Sequence, residues 1–230
     1  MAEIVLIRHG QASLGADDYD QLSEIGFAQA KLLGEHWRDL AKPFDHIVMG
    51  SMLRHAQTTE AFLQGYLGTE HIDLNQQDVL IQSGLNEYNH TFLLAELKRH
   101  FLDQWIDTNH HQRDYYHNIR KAMAYWSEGK IATDGSDTWS SFQERILAAM
   151  LASIEEPFKR VLLVTSGGPI SNLLAHFLKM PAARMIDVSL RIKNTSVNTI
   201  VTNRTDFTVE TINDVSHLNN SQWQHLITLV

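Results

Sequence analysis

The sequence contains no cysteine. That excludes disulfides, thiolate nucleophiles and cysteine-ligated metal, and it accords with an intracellular site. No apolar run is long enough to cross a bilayer, and no basic segment followed by an apolar stretch precedes the first strand. The expectation is a soluble, cytoplasmic protein with no membrane partner. Basic residues are in the minority, with 19 Lys and Arg against 27 Asp and Glu and a net charge of -8. Binding a polyanion needs a basic surface that releases counterions, so a nucleic-acid partner is not expected. An anionic small molecule is admissible if a local group of arginines captures it against the overall field. Internal repeats, linkers and low-complexity tracts are absent. The 13 histidines show no HExxH-type spacing. His110, His111 and His117 lie in a polar stretch and read as surface residues, so neither a metal nor a cofactor is expected.

What the chain does contain is an alternation of short apolar runs with segments of helical period. That is the pattern of an α/β protein, read here as a three-layer sandwich around a mostly parallel mixed sheet. At 230 residues and 43% hydrophobic composition it forms one domain spanning 1–230, with a helical cap inserted at 90–136. The first strand spans about Glu3 to Arg8. A helix capped by Ser23 follows, with Ile25, Ala28, Leu32, Leu33, His36 and Trp37 as its buried stripe, and Pro43 ends it. The second strand is His46 to Met49, followed by a helix from about Met52 to Leu67. Two extended segments are expected between about Asn75 and Leu85. Phe92, Leu93, Leu97, Phe101 and Trp105 form one face of the cap. Its aromatics Phe92, Trp105, Tyr115, Tyr116 and Trp126 either pack the subdomain or line a pocket. Beyond a loop at Asp134 to Asp137, Trp139, Phe142, Ile146, Ala149 and Met150 mark an amphipathic helix. Arg160 to Thr165 is a buried strand, Ile170 to about Leu178 a helix, and the last strands lie near 195–202 and 207–212 with a turn at Asn203-Arg204.

In an open α/β sheet, ligands bind outside the carboxyl ends of the strands. Three strand-to-helix junctions carry polar groups suited to an anion: Arg8-His9-Gly10, Arg54, and Ser166-Gly167-Gly168-Pro169. Imidazole is a neutral nucleophile near pH 7, and guanidinium presents a fork of donors that matches phosphate oxygens. Arg54 stands in the first turn of its helix, where a cation opposes the helix dipole unless an anion is nearby. The glycines at 167 and 168 allow close backbone approach, Pro169 suits a first helical position, and free N–H groups there attract an anion.

Together these segments resemble the histidine phosphatase, or phosphoglycerate-mutase-like, superfamily. Arg8-His9-Gly10-Gln11 is similar to the family's opening motif, Leu22 to Ala30 to its "LTxxGxxQA" segment, and Arg54-His55-Ala56-Gln57-Thr58 to "RAxQT". Leu85-Asn86-Glu87 is similar to the segment carrying the proton donor, and Asn213 to Leu218 to the "NDxxHL" ending. The resemblance runs from Ile4 to about Leu218 and is weakest between His90 and Ser136. It implies phosphomonoester hydrolysis through a phosphohistidine on His9, with Glu87 as acid and base. Arg8, Arg54, Ser166 and Gly167 would bind the phosphoryl group, and Gln11 and Ser13 would be substrate-loop residues. The implied partner is a small phosphorylated substrate or inorganic phosphate.

The match breaks at one place. Ser166 stands where the family's second histidine belongs in an "SHGG"-like segment. Losing one oxyanion-type donor costs about 2.7 to 4 kcal/mol, and a hydroxyl replaces it only in part, so slow or narrow turnover is expected. His55, His90 and His217 are candidates to fill the vacant role. Ala12 and Gly15 also depart from the usual threonine and asparagine, which argues against phosphoglycerate mutase activity. Two alternatives remain at this stage. One is a non-catalytic phospholigand-binding protein of the same fold. The other is a serine hydrolase using Ser166 with Asp187 or Asp206 and His217, although Val164 stands where the G-x-S-x-G elbow needs glycine.

Overall fold

The computed structural model describes residues 1–13, 20–107, 112–131, 133, 135–155 and 157–229. Gly15, His110, His111 and Asp134, on which parts of the expectations above fall, lie outside the described residues.

Six strands form one sheet: β1 (Ala2–Arg8), β2 (His46–Met49), β3 (Val79–Ile81), β4 (Arg160–Thr165), β5 (Val197–Thr202) and β6 (Phe207–Asp214). Their order is β3-β2-β4-β1-β5-β6. The first four are mutually parallel, while β5 and β6 add antiparallel pairs, which makes the sheet mixed. Ile4, Val5, Leu6 and Ile7 are all fully buried, as a strand covered on both faces requires. Alternate residues feed two cores. Ile4, Leu6, Val161 and Leu163 point to one face, and Val5, Ile7, Leu162 and Val164 to the other.

Helices α1 (Glu24–Asp39) and α2 (Leu53–Leu67) cover the second of these faces through Leu33, Trp37, Phe62 and Leu63. The first face is covered by α5 (Trp139–Ala152) and α6 (Gly167–Leu178), with Phe142, Ile146, Ile170 and Leu173 in the core. Helices α3 (His90–His100) and α4 (Gln112–Ser127) send Leu93, Leu97, Ala122 and Trp126 into that same core. A smaller cluster of Ile119, Met123 and Ile186 ties α4 to α7 (Ala182–Ser189). Among the described residues no helix is long and apolar enough to cross a membrane.

Four local expectations change. Helix α1 is capped by Ser23 as predicted, but its buried residues are Gly26, Gln29, Ala30, Leu33, Gly34 and Trp37, and Ile25 is 37% exposed. Close approach to α2 selects this face. A Cβ on Gly34 would stand 2.0 Å from the Phe62 carbonyl oxygen, and one on Gly65 would stand 2.1 Å from that of Lys31. Between 74 and 85 there is one short strand flanked by two 3₁₀ turns instead of two extended segments. Helix α6 begins at Gly167, which places Pro169 third in its first turn, where no intrahelical N–H is needed. Helix α7 did not emerge from the sequence pattern, because its eight residues bury only Met185 and Ile186.

Candidate active site

Strand register assembles the site. Arg8 of β1 lies opposite Thr165 of β4, Val164 opposite Met49 of β2, and Met49 opposite Ile81 of β3. The four parallel strands therefore end at one edge. The segments that leave them carry His9, Ser166-Gly167, Arg54 and Glu87. One cavity there is lined by Arg8, His9, Arg54, Glu87 and Gly167, and also by Tyr88, His90, Tyr115 and Tyr116.

His9 is 5% exposed, and its Nδ1 lies 2.7 Å from the Gly10 carbonyl oxygen. With the Nδ1 proton donated to that carbonyl, Nε2 carries the lone pair. Burial, followed by the charges of Arg54 and Arg8, holds the His9 pKa well below the usual imidazole value. The ring is therefore a neutral base at physiological pH.

Arg54 is also buried. Its Nη1 donates to Asp20 Oδ1 at 2.8 Å, while its Nε has no hydrogen-bond partner among the described residues. Asp20 Oδ2 accepts from the Leu53 N–H at 2.8 Å, so this carboxylate covers the start of α2 and is the anion that offsets a cation in its first turn. Arg8 Nη1 donates to the carbonyl oxygens of Ile192 and of Leu229, the latter at 2.6 Å. The tail that supplies Leu229 is anchored in turn by Gln29, whose Nε2 donates to the Leu226 carbonyl at 2.6 Å.

Glu87 Oε2 accepts from the Gly168 N–H at 3.0 Å, at the amino end of α6. Burial raises its pKa, and the Gly168 N–H, Arg54 and Arg8 oppose the rise. A carboxyl so placed can hold a proton higher into the pH range than a solvated one.

Several candidates are placed elsewhere. Ser166 is fully buried, and its Oγ lies 2.8 Å from His55 Nε2; neither residue lines the cavity. The structure thus places the Ser166 hydroxyl toward a neighbouring ring and outside the cavity lining. Burial, with Arg54 second, lowers His55 to about 3, so it is uncharged, and its ring centroid lies 5.9 Å from that of His9. His217 bonds Thr195 Oγ1 at 3.0 Å, away from the cavity lining, and burial lowers it to about 3. His90 is the one of the three auxiliary histidines that lines the cavity, with its pKa lowered by burial and by Arg54. Gln11 Oε1 accepts from Ser23 Oγ at 2.9 Å, and the Ser13 N–H donates to the Gln21 carbonyl at 2.8 Å; neither is among the lining residues.

The serine-hydrolase constellation is not assembled. Asp187 pairs with Arg120 and Arg184, Asp206 bonds Asn203 in its own turn, and His217 is held by Thr195. Among the described residues no three His, Asp or Glu side chains are grouped to hold a metal ion. Sequence reasoning missed Tyr88, Ile119, Ser189, Leu190 and Leu229 as lining residues. They come from the loop before α3, from α4, from the end of α7 and the residue after it, and from Leu229, and carry no motif.

The model of the histidine phosphatase superfamily (branch 1) matches residues 4–215. The adenosylcobalamin/alpha-ribazole phosphatase of Salmonella typhi is 26% identical over 191 residues, covering 78% of this chain and 81% of the relative. Among solved structures, the alpha-ribazole phosphatase from Shigella flexneri superposes with a TM-score of 0.64 at 20% identity, covering 93% of this chain and 96% of the other. The phosphoserine phosphatase from Entamoeba histolytica, in complex with 3-phosphoglyceric acid, gives 0.63 at 17% identity, covering 95% and 100%. These structural likenesses establish the common fold.

Proposed function

The chain belongs to the histidine phosphatase superfamily, and on that premise we propose that it is a phosphomonoester hydrolase acting through a phosphohistidine at His9. The observation that carries this reading is the convergence of a neutral, Nδ1-anchored imidazole, two guanidinium groups and a raised-pKa carboxyl on one cavity. In the first step the His9 Nε2 lone pair forms the N–P bond while the ester P–O bond breaks, and protonated Glu87 gives its proton to the departing alkoxide. In the second step Glu87 carboxylate takes a proton from water, whose oxygen attacks phosphorus. The N–P bond breaks, and His9 regains its lone pair. Arg8, Arg54 and the amino end of α6 at Gly167 stabilise the charge on the nonbridging oxygens. His90 faces the same cavity from the cap side and can donate a hydrogen bond there. The cap at 90–136 is the part that sets the substrate.

The test is a panel of phosphomonoesters with wild type and His9→Ala, together with chemical detection of acid-labile phosphate on a histidine. Turnover that disappears in His9→Ala, with trapped phosphohistidine in the wild type, supports the proposal. Turnover that survives His9→Ala sinks it. One observation favours a second reading: the residue after β4 presents no imidazolium, and Ser166 is occupied by His55. Phosphate affinity without turnover of any ester would establish that non-catalytic, phospholigand-binding protein.

A further inference from the structure

Beyond the phosphoryl cradle, the rest of the cavity wall differs in kind. It includes Tyr88, Tyr115, Tyr116, Ile119, Leu190 and Leu229, and its remaining polar members are His90 and Ser189. His90 is held toward its neutral form by burial and by Arg54. Arg8 and Arg54 are therefore the two permanent cations of the lining, and both belong to the phosphoryl cradle. The residues outside the described segments add none, because by sequence 14–19, 108–111, 132, 134, 156 and 230 contain no lysine or arginine. A second anionic group on the substrate would lose its hydration without gaining a counter-charge, and that is costly.

The aromatic side chains are held in place. Ile119 packs with Met123 and Ile186, and Tyr115, Tyr116 and Leu190 pack against that cluster. The rings of Tyr115 and Tyr116 meet edge to face, 6.1 Å apart. Tyr88 lies 5.4 Å from Trp126 and 5.6 Å from Phe142, with its hydroxyl on Met123 Sδ at 3.3 Å. Preorganised ring faces of this kind favour flat, apolar partners.

We propose that the preferred substrate is a phosphomonoester whose alcohol carries an uncharged aromatic or heteroaromatic ring, seated against Tyr88, Tyr115 and Tyr116. Esters bearing a second anionic group are disfavoured. This rests on the hydrolase reading for turnover, while the binding preference stands on the wall alone.

The test has two arms. The first compares kcat/KM for benzyl phosphate, glycerol 3-phosphate, phosphoserine and 3-phosphoglycerate, all esters of alkyl alcohols, so that leaving-group chemistry does not set the order. Benzyl phosphate is expected to exceed each of the others by about tenfold or more. Tyr115→Ala and Tyr116→Ala are expected to lower the ratio of kcat/KM for benzyl phosphate to that for glycerol 3-phosphate by about tenfold, with the Tyr→Phe variants keeping the preference. Phosphoserine or 3-phosphoglycerate matching benzyl phosphate overturns the proposal, as does an equal loss on every ester in the alanine variants. The second arm measures binding of benzylphosphonate and 2-carboxyethylphosphonate to wild type by calorimetry. Tighter binding of the benzyl compound supports the proposal even if no ester is turned over, in which case only the hydrolase reading fails; equal or reversed affinity overturns it.

Discussion

The backbone N–H of Gly168 donates to Glu87 Oε2 across 3.0 Å, and a Cβ added at 168 would stand 2.0 Å from Oε1 of the same carboxylate. The glycine thus both orients the acid and leaves it room. Gly168→Ala is expected to displace Glu87 and lower kcat/KM, which reports on the phosphoryl-transfer step to His9, by about 100-fold for alkyl phosphates, the low end of what a general acid contributes. For 4-nitrophenyl phosphate, whose phenolate departs without a proton, the loss should be under about tenfold. An equal loss for both ester types would show that the substitution acts through the arginine cradle or through folding.

Asp20 neutralises Arg54 at the start of α2. Asp20→Asn leaves the guanidinium without its charged partner and frees it for a bound anion. Inorganic phosphate is then expected to inhibit about tenfold more strongly, while stability falls by about 1–3 kcal/mol. Product-inhibition constants and urea denaturation measure the two effects, and unchanged phosphate inhibition would contradict this role for Asp20.

His55 and His217 are both lowered to about 3, chiefly by burial, from an unfolded value near 6.5. A depressed folded pKa contributes stability that is fully present above the unfolded pKa and is lost as pH falls toward the folded value. Each ring binds a proton on unfolding in that window, so stability should fall by about 1.4 kcal/mol per pH unit for each histidine as pH drops below 6.5. Urea midpoints measured from pH 8 to pH 5 check this, and a flat profile would refute it.

Ser166 and His55 fill one buried space. Ser166→His alone overpacks it and is expected to cost about 1–3 kcal/mol. Combining it with His55→Ala makes room for the new ring, so the double variant should be more stable than the two single losses add up to. Additive losses in thermal melts would show that the two positions are not coupled.

Gly34 and Gly65 let the backbones of α1 and α2 touch. Gly34→Ala drives its Cβ against the Phe62 carbonyl and should destabilise by about 3 kcal/mol or more, despite the better helix propensity of alanine. Denaturant unfolding measures this directly.

Much of this was legible in the sequence for reasons that concern particular residues. The apolar runs at Ile4 to Ile7 and Val161 to Val164 can only be strands covered on both sides, and once they are parallel neighbours their polar carboxyl ends must meet. That reasoning brings Arg8, His9 and Arg54 to one edge. It could not show that Ser166 faces His55, because a contact between residues 111 apart depends on how α2 and α6 rotate about their axes. On α1 it found Leu33 and Trp37 but not Gly26, Gln29, Ala30 and Gly34, because close backbone approach to α2 sets the rest of the face. Tyr88 and Leu229 reach the cavity from a loop and a tail with no periodicity to read.

The segment at 226–229 is a structural member of the site, since Leu229 lines the cavity and its carbonyl holds Arg8. An affinity tag joined behind residue 230 would start one residue from the cavity wall and pull on the guanidinium's anchor. One joined ahead of Met1, which is 98% exposed at the other end of β1, would start at the opposite edge of the sheet. Preparations tagged at the two ends are therefore different reagents, and a catalytic parameter measured on one should not be carried to the other.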